Sequence, residues 1–160
     1  MANAGLFVLR VTLAFVLVSH GGHILFGLAA GGGLGAGGID QAAARFTAAG
    51  LEPGHLIAGI VGVVQFAGGL LIGLGLLSRW AALAATALQA ILIWKLQAQW
   101  GFYLNWTGDA TRGHGMEFSI LIIGALACLF LAGPGEWSLD GRRQHSAARR
   151  AAGRARLRNR

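Results

Sequence analysis

The chain has 160 residues, of which 55% are hydrophobic and only 12% are charged. This composition excludes an ordinary soluble domain of the same length and indicates one integral membrane domain. The formal charge of +7 belongs to residues 141–160, which hold eight arginines and no acidic residue, so residues 1–140 carry a net charge of −1. Nucleic-acid binding is not expected, because no aromatic residue accompanies the basic tail.

The first apolar run covers residues 6–28. At about 1.5 Å per residue in a helix, it is long enough to cross a hydrocarbon core of about 30 Å. We interpret it as a membrane span rather than a cleaved signal peptide, because no basic residue precedes Leu6 and Arg10 lies within the run. A glycine-rich loop and a short amphipathic segment follow at residues 29–55.

The second and third apolar runs, residues 56–77 and 80–100, are joined by a tight turn. Small residues recur on one face of the second run and fill the first half of the third, which is typical of closely packed membrane helices. The fourth run, residues 117–133, ends at a GPG sequence. These runs predict an all-α fold: an up-down-up-down four-helix bundle in the membrane over residues 1–140, followed by an Arg-rich tail at 141–160.

The arginines predict the orientation, because short loops rich in arginine and lysine stay on the cytoplasmic side. With four spans, Arg79 and the tail share one side with the N-terminus. We therefore predict a protein of the bacterial cytoplasmic (inner) membrane with both termini in the cytoplasm. Because basic residues near this leaflet attract anionic lipid, the tail is expected to bind the lipid surface.

Polar residues inside the spans form the predicted ligand site: His20, His23, Gln65, Lys95 and Glu117. An unpaired charge in hydrocarbon costs at least about 2.5 kcal/mol, so Lys95 and Glu117 either pair with each other or reach the headgroups. Gln65 and Gln89 are expected to hydrogen bond between helices, and for Gln65 a cavity-lining position is the alternative. His20 and Glu117 are the candidate catalytic residues, because a histidine can both accept and donate a proton.

Other polar residues favour structural roles. His20 and His23 share a helix face, and a hydrogen-bonded pair is favoured over a metal site. They cannot ligate the two opposite faces of one haem from a single helix turn, so haem is disfavoured. Arg10 is predicted to form an ion pair with Glu136 or Asp140, which return to the same side of the membrane.

Four segments carry a resemblance to a known family: LRVTLAFVLVSHG at 9–21, GLEPG at 50–54, GGLLIGLGLLSRWAAL at 68–83 and GPGEWSLD at 133–140. In order and spacing they resemble the DoxX family of small four-helix bacterial membrane proteins. Two positions depart from the family's pattern. Ile24 stands where a lysine often follows the HG motif, and Gln65 stands where the second helix usually carries a glutamate.

The resemblance implies a membrane component of a redox system, as in thiosulfate:quinone oxidoreductase or an assembly with superoxide dismutase and a sulfurtransferase. It thus implies quinone as the ligand and soluble redox proteins as partners. Two alternatives stay open: a non-enzymatic scaffold or assembly factor, and a carrier of a small solute. The small-residue helix faces support the scaffold, and a homo-oligomer is left open as a further partner.

Overall fold

The computed structural model describes residues 2–28, 37–109, 111–143 and 146. All regular secondary structure in these residues is helical, as predicted. A π-helical turn at Ile93–Gln97 and a 3-10 turn at Ala98–Trp100 continue the fourth helix. The α-helices that build the fold are α1 (Ala2–Phe26), α2 (Ile39–Ala48), α3 (Gly54–Leu74), α4 (Ser78–Leu92) and α5 (Glu117–Ala132), and residues 139–143 are also helical.

Within the described residues, three helical stretches are long and apolar enough to cross a membrane: Asn3–Phe26, Gly54–Leu74 and Ser78–Trp100. They correspond to the predicted spans at 6–28, 56–77 and 80–100. Helix α5 has 16 apolar-rich residues, which gives a length of about 24 Å. The fourth predicted crossing, at 117–133, therefore stays a prediction.

The helices pack in pairs around a shared interior. Helix α1 lies along α3, α3 contacts α4, α4 contacts α5, and α5 returns to α1. One buried cluster fills the middle of this arrangement and includes Leu17, Ile72 and Leu126. The amphipathic helix α2 lies outside the ring against α3 and buries Phe46 against it.

The contact between α1 and α3 depends on glycines. A Cβ atom at Gly21 would lie 2.8 Å from the carbonyl oxygen of Gly62 and closer still to the backbone nitrogen of Phe66. A Cβ at Gly69 would lie 2.9 Å from Cγ2 of Val18. The small-residue face predicted for the second span is thus the face that meets α1, at a separation that only glycine permits.

Arg10 is buried at the opposite end of α1 from its histidines, with 1% of its surface exposed. Its Nη2 donates a hydrogen bond to the carbonyl of Trp137 at 2.9 Å, which holds the segment after α5 against α1. The predicted partner was a carboxylate, either Glu136 or Asp140. The hydrogen bond in the structure goes to the backbone of that segment, and the ion pair stays a prediction.

A backbone crossing next to Arg10 joins the end of α3 to the same segment. Gly75 ends α3 in the left-handed conformation, with φ +70°. Its carbonyl accepts a hydrogen bond from the backbone of Asp140 at 2.9 Å, and the Asp140 carboxylate accepts from the backbone of Ser78 at 3.4 Å. Asp140 therefore holds the α3–α4 turn. Of the predicted tail at 141–160, residues 144–145 and 147–160 lie outside the described residues.

Candidate functional site

A cavity of about 370 Å³ lies between the helices, where α1 and α4 end and α5 begins. Helices α1 to α5 each contribute to its wall, together with the π-helical turn and the loop before α5. A smaller cavity of about 160 Å³ adjoins it under α2. The polar side chains of the larger cavity come from seven segments and are His20, His23, Arg45, Gln65, Gln89, Gln97, His114 and Ser119.

His23 is a buried polar residue of the cavity wall. Its Nδ1 lies 2.9 Å from the carbonyl oxygen of Leu28. Because a carbonyl oxygen only accepts, Nδ1 carries the hydrogen, and the Nε2 of the neutral ring is a bare acceptor. Gly37 packs against the ring so closely that a Cβ there would lie 2.7 Å from Cε1. In the described part of the chain, the buried Nε2 has no hydrogen-bond partner.

Two glutamines on the cavity wall also have a buried polar atom without a hydrogen-bond partner in the residues that the structure describes. Gln65 on α3 and Gln97 in the π-helical turn each have a buried Oε1 without a partner among the described residues. Buried polar atoms are normally hydrogen-bonded. Several unpartnered atoms around one cavity therefore indicate that a molecule inside the cavity forms hydrogen bonds with them. Of the two interpretations of Gln65, this position favours a cavity-lining residue.

His20 lies at the rim of the cavity. Its side chain is exposed, and its ring centroid is 6.4 Å from that of Phe118 on α5. Arg45 and His114 are the other two polar lining residues with exposed side chains. Together these residues mark an opening bordered by α1, α2 and the start of α5.

Lys95 and Glu117 are not on the cavity wall as the structure describes it. Lys95 is exposed, and its Nζ lies 4.1 Å from the centroid of the Trp94 ring. Glu117 accepts a hydrogen bond from the backbone of Leu104 at 3.2 Å. For Lys95 the position favours the headgroup alternative, and for Glu117 it indicates a role in holding the loop before α5.

That loop is closely tied to the start of α5. The backbone N–H groups of residues 115–117 donate to the carbonyls of residues 101–103 at distances between 2.9 and 3.2 Å. Within the loop, the carboxylate of Asp109 accepts from the hydroxyl and the backbone of Thr111, and these hydrogen bonds lower the pKa of Asp109. The loop is thus held by its own hydrogen bonds above the cavity.

The loop presents His114 to the cavity. Its Nδ1 accepts a hydrogen bond from the backbone N–H of Asn105 at 3.3 Å. Nδ1 of the neutral ring is therefore bare and Nε2 carries the hydrogen, which is the opposite tautomer to that of His23. The two histidines consequently offer different hydrogen-bonding groups.

No group of three His, Cys, Asp or Glu side chains that could hold a metal ion occurs in residues 2–28, 37–109 and 111–143. The pair His20 and His23 therefore lacks a third ligand of these types there. The described geometry suits a hydrogen-bonding ligand better than a metal ion.

The family model for DoxX matches residues 5–98, more than half of the chain. The chain belongs to the DoxX family. A relative, the uncharacterized membrane protein Rv3486 of Mycobacterium tuberculosis, is 37% identical over 101 residues, and the alignment covers 61% of this chain and 62% of the relative. The match thus covers less than two thirds of that relative's length. No solved structure matches this DoxX chain.

The DoxX match and the helices able to span a membrane identify a membrane protein. The matched residues 5–98 include most of the cavity wall, from α1 to the π-helical turn. His114 and the α5 residues of the cavity lie beyond the matched segment. The cavity therefore combines a family region with a C-terminal part that the family model does not cover.

Of the predicted ligand-binding residues, the structure places His20, His23 and Gln65 on the wall of one cavity. The prediction did not include Arg45, Gln97 and His114, which line the same cavity. Arg45 and His114 lie in connecting segments, outside the apolar runs that contain the predicted site residues. Gln97 faces the cavity from a π-helical turn that no helical repeat predicts. The available signal for His114 was its position three residues before the predicted fourth span.

The structural role of Glu117 is testable with two substitutions. We expect Glu117→Ala to remove the acceptor for the Leu104 N–H, lower the unfolding free energy by about 1 kcal/mol and speed amide exchange in residues 101–109. Glu117→Gln keeps a carbonyl acceptor and is expected to stay close to the unmodified protein. Hydrogen exchange read by mass spectrometry is the measurement. Equal exchange in the two variants would contradict the role.

Proposed function

We propose that this DoxX-family protein is a redox-associated membrane subunit that handles a quinone in the cavity. The cavity is the observation that carries the proposal, because its volume of about 370 Å³ suits a small ring compound. Its wall combines the polar groups described above with the apolar side chains that such a ring requires. These apolar residues are Val16, Leu17, Ile24, Phe46, Val61, Leu92, Leu96 and Phe118.

The proposal includes the membrane topology. We propose that α1, α3, α4 and α5 cross the inner membrane as an up-down-up-down four-helix bundle with both termini in the cytoplasm. Exposed aromatic residues at both ends support it, as expected at two membrane interfaces. Trp80 and Trp137 lie at the Arg79 end, whereas Trp94, Tyr103 and Trp106 lie at the cavity end.

Within this topology the cavity opens near the outer leaflet. Quinone chemistry supplies the transfer of two electrons and two protons. His20, at the exposed rim, would exchange protons with the interface. His23 and Gln65 would accept hydrogen bonds from the ring hydroxyls of the reduced form inside. The electrons would come from a soluble redox partner, because this chain has one cysteine and thus no thiol pair.

A matched pair of substitutions tests ligand binding. Leu96→Trp is expected to fill the cavity and lower the amount of co-purifying quinone at least about tenfold, because Leu96 is on its wall. Ile91→Trp, at an exposed position of α4, is expected to leave that amount unchanged. Quinone is extracted from protein purified with native lipid and measured by mass spectrometry. Equal amounts of quinone in both variants, or none in the unmodified protein, would end the proposal.

A second candidate function has its own support. The close contact of α1 with α3 builds a rigid framework, which suits a membrane scaffold or an anchor for soluble redox proteins. A scaffold would co-purify with protein partners and without quinone. The same purification therefore separates the two candidates.

A further inference from the structure

The hydrogen positions on the rings of His23 and His114 restrict the chemistry of the ligand. His23 offers a bare Nε2, because its Nδ1 hydrogen bonds to the carbonyl of Leu28. His114 offers an N–H at Nε2, because its Nδ1 accepts from the backbone of Asn105. We infer that the cavity takes a lipophilic ligand bearing hydroxyl groups, which donate to His23 and accept from His114. This inference rests on the proposed function and specifies its ligand class.

The unpartnered atoms of the cavity residues point to hydrogen-bond donors on the ligand. They are Nε2 of His23 and the Oε1 atoms of Gln65 and Gln97, all three acceptors. An oxidised quinone ring offers only acceptor oxygens and leaves these atoms unpaired. A hydroxyl supplies the missing hydrogen, and pairing a buried acceptor removes a desolvation penalty.

The remaining wall selects a hydroxyl over other donors. A hydroxyl oxygen also accepts, so it pairs with the N–H of His114, which an ammonium group cannot do. Arg45, with an exposed side chain at the rim, adds a positive charge that disfavours a cationic amine. The apolar side chains of the wall suit a ring or a hydrocarbon skeleton. A phenol or a dihydroxy ring meets all of these requirements.

The inference predicts the order of binding of three compounds with the same ring. Durohydroquinone has two hydroxyls, its dimethyl ether has none, and duroquinone has only carbonyl oxygens. In nanodiscs containing the full chain, under anaerobic conditions, we expect durohydroquinone to bind at least about tenfold more tightly than the other two. Isothermal titration calorimetry measures the three dissociation constants, and this comparison needs no variant.

A substitution then locates the acceptors. Gln65→Met keeps the length of the side chain but removes its acceptor, and it is expected to reduce the preference for durohydroquinone several-fold without changing the affinity for the ether. Gln99→Met is the control, because Gln99 is exposed and not on the wall. An equal effect of the two substitutions would overturn the assignment to Gln65.

The outcomes separate this inference from the proposed function. If the ether or duroquinone binds as tightly as durohydroquinone, the hydroxyl inference is wrong, while ligand binding in the cavity stands. If none of the three binds, the hydroxyl inference is also wrong, and water donates the hydrogen bonds to the unpartnered acceptors. The quinone extraction with Leu96→Trp then decides whether the proposed function falls with it.

Discussion

Replacing Gly21 with alanine is expected to cost about 3 kcal/mol of unfolding free energy, among the largest effects of any single methyl group in this chain. The new Cβ would meet the backbone nitrogen of Phe66 and would lie 2.8 Å from the carbonyl oxygen of Gly62. These are backbone atoms, which cannot rotate away as a side chain does, so α1 and α3 must separate along their contact. Thermal unfolding in detergent or reversible unfolding in bicelles measures the loss.

The control is Gly59→Ala, which places the same methyl group on α3 with no neighbouring atom within 4 Å. It is expected to leave stability unchanged or slightly higher, because alanine is the better helix former. Equal stability of the Gly21 and Gly59 variants would show that the helices tolerate a wider separation. The glycine contact would then not be what positions α1 against α3.

The second large effect is expected at Gly75, at the other end of the bundle. Gly75→Ala combines two costs. With φ +70°, a residue with a side chain is strained by about 1 kcal/mol. Its Cβ would also collide with Nη1 of Arg10 and with Cβ of Ser138. We expect a total loss of at least about 3 kcal/mol, because the segment after α5 must leave Arg10.

Gly50→Ala separates the two costs. Gly50 has nearly the same backbone conformation, with φ +75°, but no atom within 4 Å of the new Cβ. This variant should lose only the backbone term of about 1 kcal/mol. Thermal unfolding of both variants under the same conditions gives the difference. A Gly75 variant no less stable than the Gly50 variant would mean that Arg10 and Ser138 move aside without loss.

The helices were predictable because the apolar runs are long, whereas their ends depend on single backbone conformations. The second predicted span continued to residue 77 because Leu76 and Leu77 are apolar. Helix α3 ends at Leu74 instead, since Gly75 adopts the left-handed conformation. The first predicted span, 6–28, continued past the end of α1 at Phe26 in the same way, where Gly27 has φ +66°. Hydropathy does not detect such a reversal.

The candidate site was only partly predictable, for a related reason. His20, His23 and Gln65 lie on regular helices, so their height and face follow from the helical repeat. His114 and Arg45 come from segments whose positions depend on contacts between distant parts of the chain. Placing them requires the hydrogen bonds between residues 101–103 and 115–117 and the packing of α2 on α3.

The π-helical turn at Ile93–Gln97 makes the site sensitive to chain length. Such a turn accommodates more residues than an α-helical turn, and each residue of an α-helix accounts for a rotation of about 100°. Deleting one residue between Leu92 and Ala98 would restore an uninterrupted helix and swing Leu96 and Gln97 around its axis, out of the cavity wall. Insertions and deletions there would therefore reshape the cavity wall, even though they leave the apolar character of the helix intact.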